Sequence, residues 1–287
     1  MMILAATILA TALSAHTDTT LSVEPGARLR VNNFGGQIVV RVWGKNQVRV
    51  EADHSERAHI EIAATRQGVD VDARARYGVP ARVEYQITVP AWMALGLSGV
   101  YTDVSVDGSK AEVLAETVKG EVNVHGGEGL IKLSSVMGPV RVGGAHGRLE
   151  LSSINEAVDV RDVVGEINVD AVNGSVMIER VDSPLIEAAT VNGDITFLGG
   201  IRERGRYHFE THNGTIVVAV PEKANAKFSV STVNGTFDPS FTVGPIEKKW
   251  GRNFDFTLGS GSALIEMETF QGVIRLRRLI KGKIEEE

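Results

Sequence analysis

The 287-residue chain is 43% hydrophobic, enough for one large domain or two ordinary ones. It is rich in Gly (31 residues) and poor in aromatics (6%), with Val and Ile prominent among the apolar residues, a composition suited to narrow stacked strands. A net charge of −6 with no basic block before the end of the chain argues against nucleic acid as a partner, and the lack of cysteine excludes disulfides, thiolate metal sites and a cysteine-linked lipid anchor.

Residues 1–15, MMILAATILATALSA, form an apolar run ending in small residues. The run is too short to cross a bilayer and predicts a signal peptide cleaved near Ala15. Its start has no Lys or Arg, which is atypical, and the alternative is an apolar first strand. The polar stretch from His16 to Thr20 separates the run from the first β-pattern and favours export to the periplasm, the cell surface or the medium. No later apolar segment predicts a membrane span in the mature chain.

Residues 16–92 predict an irregular β cap. Val48 and Val50, Ile60 and Ile62, Val69 and Val71, and Val83, Tyr85, Ile87 and Val89 alternate with polar residues, the period of half-buried strands. Leu29, Val31, Phe34, Gly36, Ile38 and Val40 show one copy of a template that recurs later. A cap is required because an uncovered end coil presents unpaired backbone groups.

Residues 93–277 carry that template repeatedly, with an insertion at 238–262 that predicts a loop or hairpin beside the stack. The reference positions are Thr102, Gly120, Gly138, Glu156, Gly174, Gly193, Gly214, Gly235 and Gly272, spaced 18, 18, 18, 18, 19, 21 and 21 residues up to Gly235. A steady period of this kind predicts an all-β, single-stack β-solenoid with coils of about 18–21 residues. Five columns are expected to point inward: seven, five and two residues before the reference, and two and four after it. A second bend is expected seven to nine residues after the reference. The charged tail, residues 278–287, is expected to be solvated.

The turns carry Asn155, Asn173, Asn192, Asn213 and Asn234 before the reference, the last four followed by Gly174, Gly193, Gly214 and Gly235. Asn-Gly tolerates positive φ and so permits sharp bends. Stacked Asn side chains also suit a hydrogen-bonded ladder, so these residues are candidates for structural turn and ladder positions rather than a sugar-binding strip. Three before the reference, Thr117, Ser135, Ser153, Ala171, Thr190, Thr211, Thr232 and Thr269 form a small, mostly hydroxylated column with no privileged nucleophile.

Lys132 and Glu150, Arg141 and Asp159, and Arg161 and Glu179 fall on adjacent coils and predict ion-pair ladders. Asp159, Asp162, Glu166 and Asp170 are the carboxylates that acid–base cleavage of a polysaccharide would need, but no long loops rise there to wall a cleft. His125, His146, His208 and His212 are too scattered for a metal set, and His212, in a column expected to face inward, reads as a core histidine. Gly126, Gly127, Glu128 and Gly129 lack the Asp of a calcium-binding β-roll. No catalytic, metal or cofactor residue is assigned. A hexapeptide-repeat acyltransferase shares the 18-residue coil, but the position eight before the reference holds Glu112, Arg148, Glu166, Arg206 and Lys227 where it would need apolar residues.

The TVNG elements at 190–193 and 232–235, AVNG at 171–174, the strand at 85–90 and METFQGVIRL at 267–276 resemble the putative-adhesin family of exported bacterial toastrack-like β-solenoids. The resemblance covers roughly residues 25–277. It implies a non-enzymatic module for binding, adhesion or scaffolding in the cell envelope, with an envelope protein or glycan as partner and no cofactor. The alternative is a carbohydrate-active β-helix enzyme, a hydrolase or lyase.

Overall fold

A computed structural model describes residues 14–75, 78, 82–240, 247–249, 252–280 and 282–284. Most of the expected leader therefore lies outside the described residues. Those residues contain strands and no helix. Each regular coil contributes a longer strand, such as His146–Ser153, and a shorter one, such as Val158–Arg161. Equivalent strands of successive coils pair in parallel and in register: Ile131 with Leu149, Leu149 with Ile167, and Val140 with Val158. The fold is a β-solenoid whose two stacks of strands, joined into one sheet by the long strands of the end coils, enclose one continuous hydrophobic core.

The columns seven and five before the reference, and two and four after it, are buried, as in Ile131, Leu133, Val140 and Val142. The column two before is not. Val118, Val136, Ile154, Val172, Val191, Val233 and Phe270 are exposed, and so is His212, which stacks on Phe270 with ring centroids 4.7 Å apart instead of entering the core. The reason is strand alternation. If positions seven and five before the reference face in, so does the position three before. That place belongs to the hydroxyl column, where Thr117, Ser135, Ser153, Thr190 and Thr211 are buried. A further inward column, seven after the reference, contains Ala145, Val163 and Val181.

The hydroxyls answer a backbone need. Five of them donate to the carbonyl of the reference residue one coil earlier: Thr117 to Thr102, Ser135 to Gly120, Thr190 to Gly174 and Thr211 to Gly193, at 2.9–3.0 Å, and Ser153 to Gly138 at 3.3 Å; Thr232 and Thr269, in the C-terminal coils, make no such bond. The same carbonyls explain the glycines. Gly138, Gly174, Gly193, Gly214 and Gly235 are not in the left-handed region, so bend tolerance is not what selects them. A Cβ on Gly193 would overlap the carbonyl oxygen of Gly174, and one on Gly214 that of Gly193. Glycine is needed because two backbones approach too closely for a side chain. The left-handed residues of the second bend stand six after the reference, at Gly108, Gly126, Gly144, Asp162 and Arg180.

Order along the stack departs from order along the chain at both ends. Strand Arg28–Trp43 lies between Ala94–Ser109 on one side and Gly68–Ala75 with Arg82–Pro90 on the other. The N-terminal edge is then finished by antiparallel pairings of Gln47–Ser55 with Arg82–Pro90, Ser14–Ser22 with Gln47–Ser55, and Ala58–Thr65 with Gly68–Ala75. At the other end, Ala263–Ile280 is threaded between the coil of Arg206–Asn213 and Ile216–Val220 and the strand Ala226–Pro239. Arg252–Leu258 pairs antiparallel outside Ala226–Pro239, and Glu247–Lys249 outside that. Each end thus tucks one coil inward and covers it with a segment from the intervening chain. Phe228 stacks on Phe256 at 4.8 Å, and Phe237 packs against Phe254 and Phe256, closing the C-terminal end of the core. The last long strand runs through Arg277 to Ile280 and turns back at Lys283–Ile284, so the tail begins as strand.

The corner geometry separates two neighbouring substitutions. Gly193→Ala should cost about 1–3 kcal/mol through forced backbone displacement. Asn192→Ala, which removes an exposed amide contact, should cost about 1 kcal/mol or less. Chemical denaturation checks this, and equal losses would show that the corner has room for a Cβ.

Candidate binding surface

The corner leading to each reference residue presents two adjacent outward columns, because the chain bends there. The inner column of the bend is the hydroxyl column just described. Outside it, the exposed apolar column forms a ridge along the stack, with Val118 47% and Val233 57% exposed. Phe34 and Val100, both half-buried, extend it toward the N-terminal end. An apolar file of this length, interrupted by His212 between Val191 and Phe270, is unusual for a solvated sheet, whose outward positions are normally polar.

Beside the ridge runs the amide column. Asn155 Nδ2 donates to the Val136 carbonyl at 3.0 Å, Asn173 to Asn155 at 3.1 Å, Asn192 to Asn173 at 3.1 Å and Asn213 to Asn192 at 2.9 Å. Asn213 pairs in register with Gln271 of the threaded strand, and Gln271 with Asn234. Asn234 therefore stands two rungs from Asn213, not one. Gly174, Gly193, Gly214 and Gly235 lie beside these amides and let the rungs close up. Toward the N-terminal end, Lys119, Met137 and Tyr101 replace the amides, and Tyr101 meets Phe34 edge-on at 5.5 Å.

Ion pairs cover other outward columns. Lys132 meets Glu150 at 3.1 Å, Arg141 meets Asp159 at 3.4 Å and Arg161 meets Glu179 at 3.7 Å. The carboxylates weighed for catalysis are dispersed. Asp159 lies on Val158–Arg161, Asp162 at the second bend, and Glu166 and Asp170 on Val164–Ala171. Asp162 accepts two hydrogen bonds from Arg180, at 2.8 and 2.9 Å, and these hold its carboxyl below the usual carboxylate range. A general acid needs the opposite shift. His208 lies near Glu210 and Glu266, at 3.6 and 3.9 Å, apart from His125 and His146. Among the described residues His16, Asp18 and Glu51 come close enough to share an ion, but Arg49 already pairs with both carboxylates, at 2.7 and 3.0 Å.

The sequence pointed to the amides and glycines of this surface. The ridge was missed. Its signal was present, since burial at seven and five before the reference already sets the parity of the strand.

No protein-family model matches the sequence, and no curated protein sequence matches it. Among solved structures, a protein described as a putative adhesin from Parabacteroides merdae superposes with a TM-score of 0.50 at 11% identity, covering 91% of this chain and 95% of that one. A protein described as a putative lipid binding protein from Parabacteroides distasonis gives 0.49 at 8% identity, with 91% and 96% covered. A putative adhesin from Bacteroides fragilis gives 0.45 at 13% identity, with 91% and 97% covered. The first shows that this fold occurs in a protein so described. Among the described residues no helix is long and apolar enough to cross a membrane.

The Asp162–Arg180 pair has a signed pH consequence. Its lowered pKa means a contribution to stability that is present above the unfolded-state value and lost as pH falls through the folded-state value. Arg180→Gln should return Asp162 to the ordinary carboxylate range and remove this part of the acid sensitivity. Carboxyl titration by NMR reads the shift; an unchanged Asp162 would show that Arg180 does not set it.

Proposed function

We propose that the chain is an exported, non-enzymatic β-solenoid that acts as a binding, adhesion or scaffold module of the cell envelope, with an envelope protein or glycan as its partner. The observation that carries this reading is the exposed apolar ridge bordered by the amide column. The ridge combines apolar area with amide groups that offer both hydrogen-bond donors and acceptors. Register between coils holds it rigid, so little ordering entropy is lost on binding. The dispersal of the carboxylates, and the pairing of Asp159 and Asp162 with arginine, favour binding over hydrolase or lyase chemistry. Export is supported by the apolar leader, and the likeness in fold to a protein described as an adhesin is compatible with a surface role.

Co-sedimentation with isolated cell-envelope fractions tests the reading. The double variant Val172→Glu/Val191→Glu places two like charges on the ridge and should reduce bound protein by about tenfold or more, equivalent to roughly 1.4 kcal/mol. The pair Arg161→Ala/Glu179→Ala, on another column, should bind as the parent does. Thermal melts establish that both remain folded. A parent that does not sediment, or a ridge variant that sediments equally, overturns the proposal. For export, mass spectrometry of the secreted fraction should find an N-terminus near His16, and an intact Met1 on protein retained in the cytoplasm would contradict it.

A further inference from the structure

Strand Ala94–Ser109 opens with small residues at consecutive outward positions, Ala94, Gly96 and Ser98. The coils on either side are not small there. Arg28 and Arg30 stand opposite Ala94 and Gly96 on one side; on the other, Leu114 stands opposite Gly96 and Glu116 opposite Ser98. The result is a trench over this strand, and the cavity of about 340 Å³ that it belongs to continues past Glu116 to Lys132 and Ser134 of the next coil. From the strand geometry the trench is about 13 Å long and about 10 Å from wall to wall.

Gly96 forms the floor, and nothing in the fold requires glycine there. Its φ lies outside the left-handed region. A Cβ would meet Leu29 O at 3.7 Å and Arg30 Cγ at 3.8 Å, both ordinary contacts. This contrasts with Gly193, where a Cβ would overlap backbone. Glycine inside a strand is unfavourable, and a remaining reason for it is close approach by another molecule.

We infer that this trench binds an acidic oligosaccharide, with a uronate carboxylate on Arg28 and on Arg30, which also reaches Asp70 at 3.8 Å, and ring hydroxyls donating to Glu112 and Glu116. Arginine binds a carboxylate through its planar fork, and ionised Glu only accepts. The Gly96 floor admits a ring, and Leu114 covers part of its apolar edge. Ser98 Oγ donates to Glu116 at 2.8 Å and orients it. An extended peptide fits less well. The floor strand is hydrogen-bonded on both sides, so a peptide would find no open sheet edge to pair with. The inference rests on the proposed role as a binding module and names a ligand class for it. The ridge variants lie four rungs or more along the stack, about 19 Å, from the floor.

Isothermal titration of the purified chain with tri-galacturonate tests it, with maltotriose and an alternating Glu-Lys peptide as comparators. Millimolar or tighter binding of the uronate is expected, weakened about tenfold or more in both Gly96→Val and Arg30→Gln and unchanged in Val172→Glu/Val191→Glu. Arg30 is exposed, so its substitution keeps the test open even if Gly96→Val fails to fold. No uronate binding, binding equal in Arg30→Gln and parent, or tighter binding of either comparator overturns the inference. Because the titration uses no envelope material, a failure of the envelope test leaves its result standing, and the reverse holds too.

Discussion

The structure depends on the close approach of successive backbones at the corner that carries the reference residue. There the carbonyl of one coil occupies the space where the next coil would hold a Cβ, and a buried hydroxyl from that next coil donates to it. A buried carbonyl without a partner is costly, and a Cβ there is sterically excluded. Glycine at the reference and Ser or Thr three residues earlier are therefore two halves of one requirement. Where both halves are present, as at Gly138, Gly193 and Gly214, they fix the register, and register decides which columns are core and which are surface.

Much of the fold could be read from the period. The spacing of Gly120, Gly138, Gly174 and Gly193, with Val and Ile at fixed offsets, implies stacked coils because no single coil can bury its own apolar side. What misleads is hydrophobicity taken without parity. Val172 and Val191 look like core residues by type, yet Ala171 and Thr190 beside them are the buried ones. A small hydroxyl inside and a β-branched residue outside reverse the usual assignment, and only the backbone hydrogen bond explains it. The threading of Ala263–Ile280 was not legible, because its Gln271 and Gly272 are about as compatible with a neighbouring rung as Asn234 and Gly235 are. Chain order is the default expectation, and only the edge-capping need argues against it.

The same rigidity links the candidate surfaces. On a solenoid with fixed register, a residue type repeated in one column becomes a continuous feature about 4.8 Å per rung. The ridge arises from repetition of that kind. The trench arises from its interruption, where one strand has small residues amid larger neighbours. Neither needs a mobile loop. Carboxylates spread over different faces and bound to arginine, as Asp162 is to Arg180, serve the stack itself.

Cysteine pairing tests the in-register, threaded stack most directly, because the chain has no native cysteine to confuse the result. Asn213 and Gln271 are partners on adjacent parallel strands, a separation of about 4.8 Å that lies within the range a disulfide spans. Asn213 and Asn234 stand two rungs apart, about 9.6 Å, which lies beyond it. Under mild oxidation, Asn213→Cys/Gln271→Cys should crosslink rapidly in the folded protein and Asn213→Cys/Asn234→Cys should not. Efficient crosslinking of the second pair and none of the first would mean that the coils stack in chain order, contradicting the threaded arrangement.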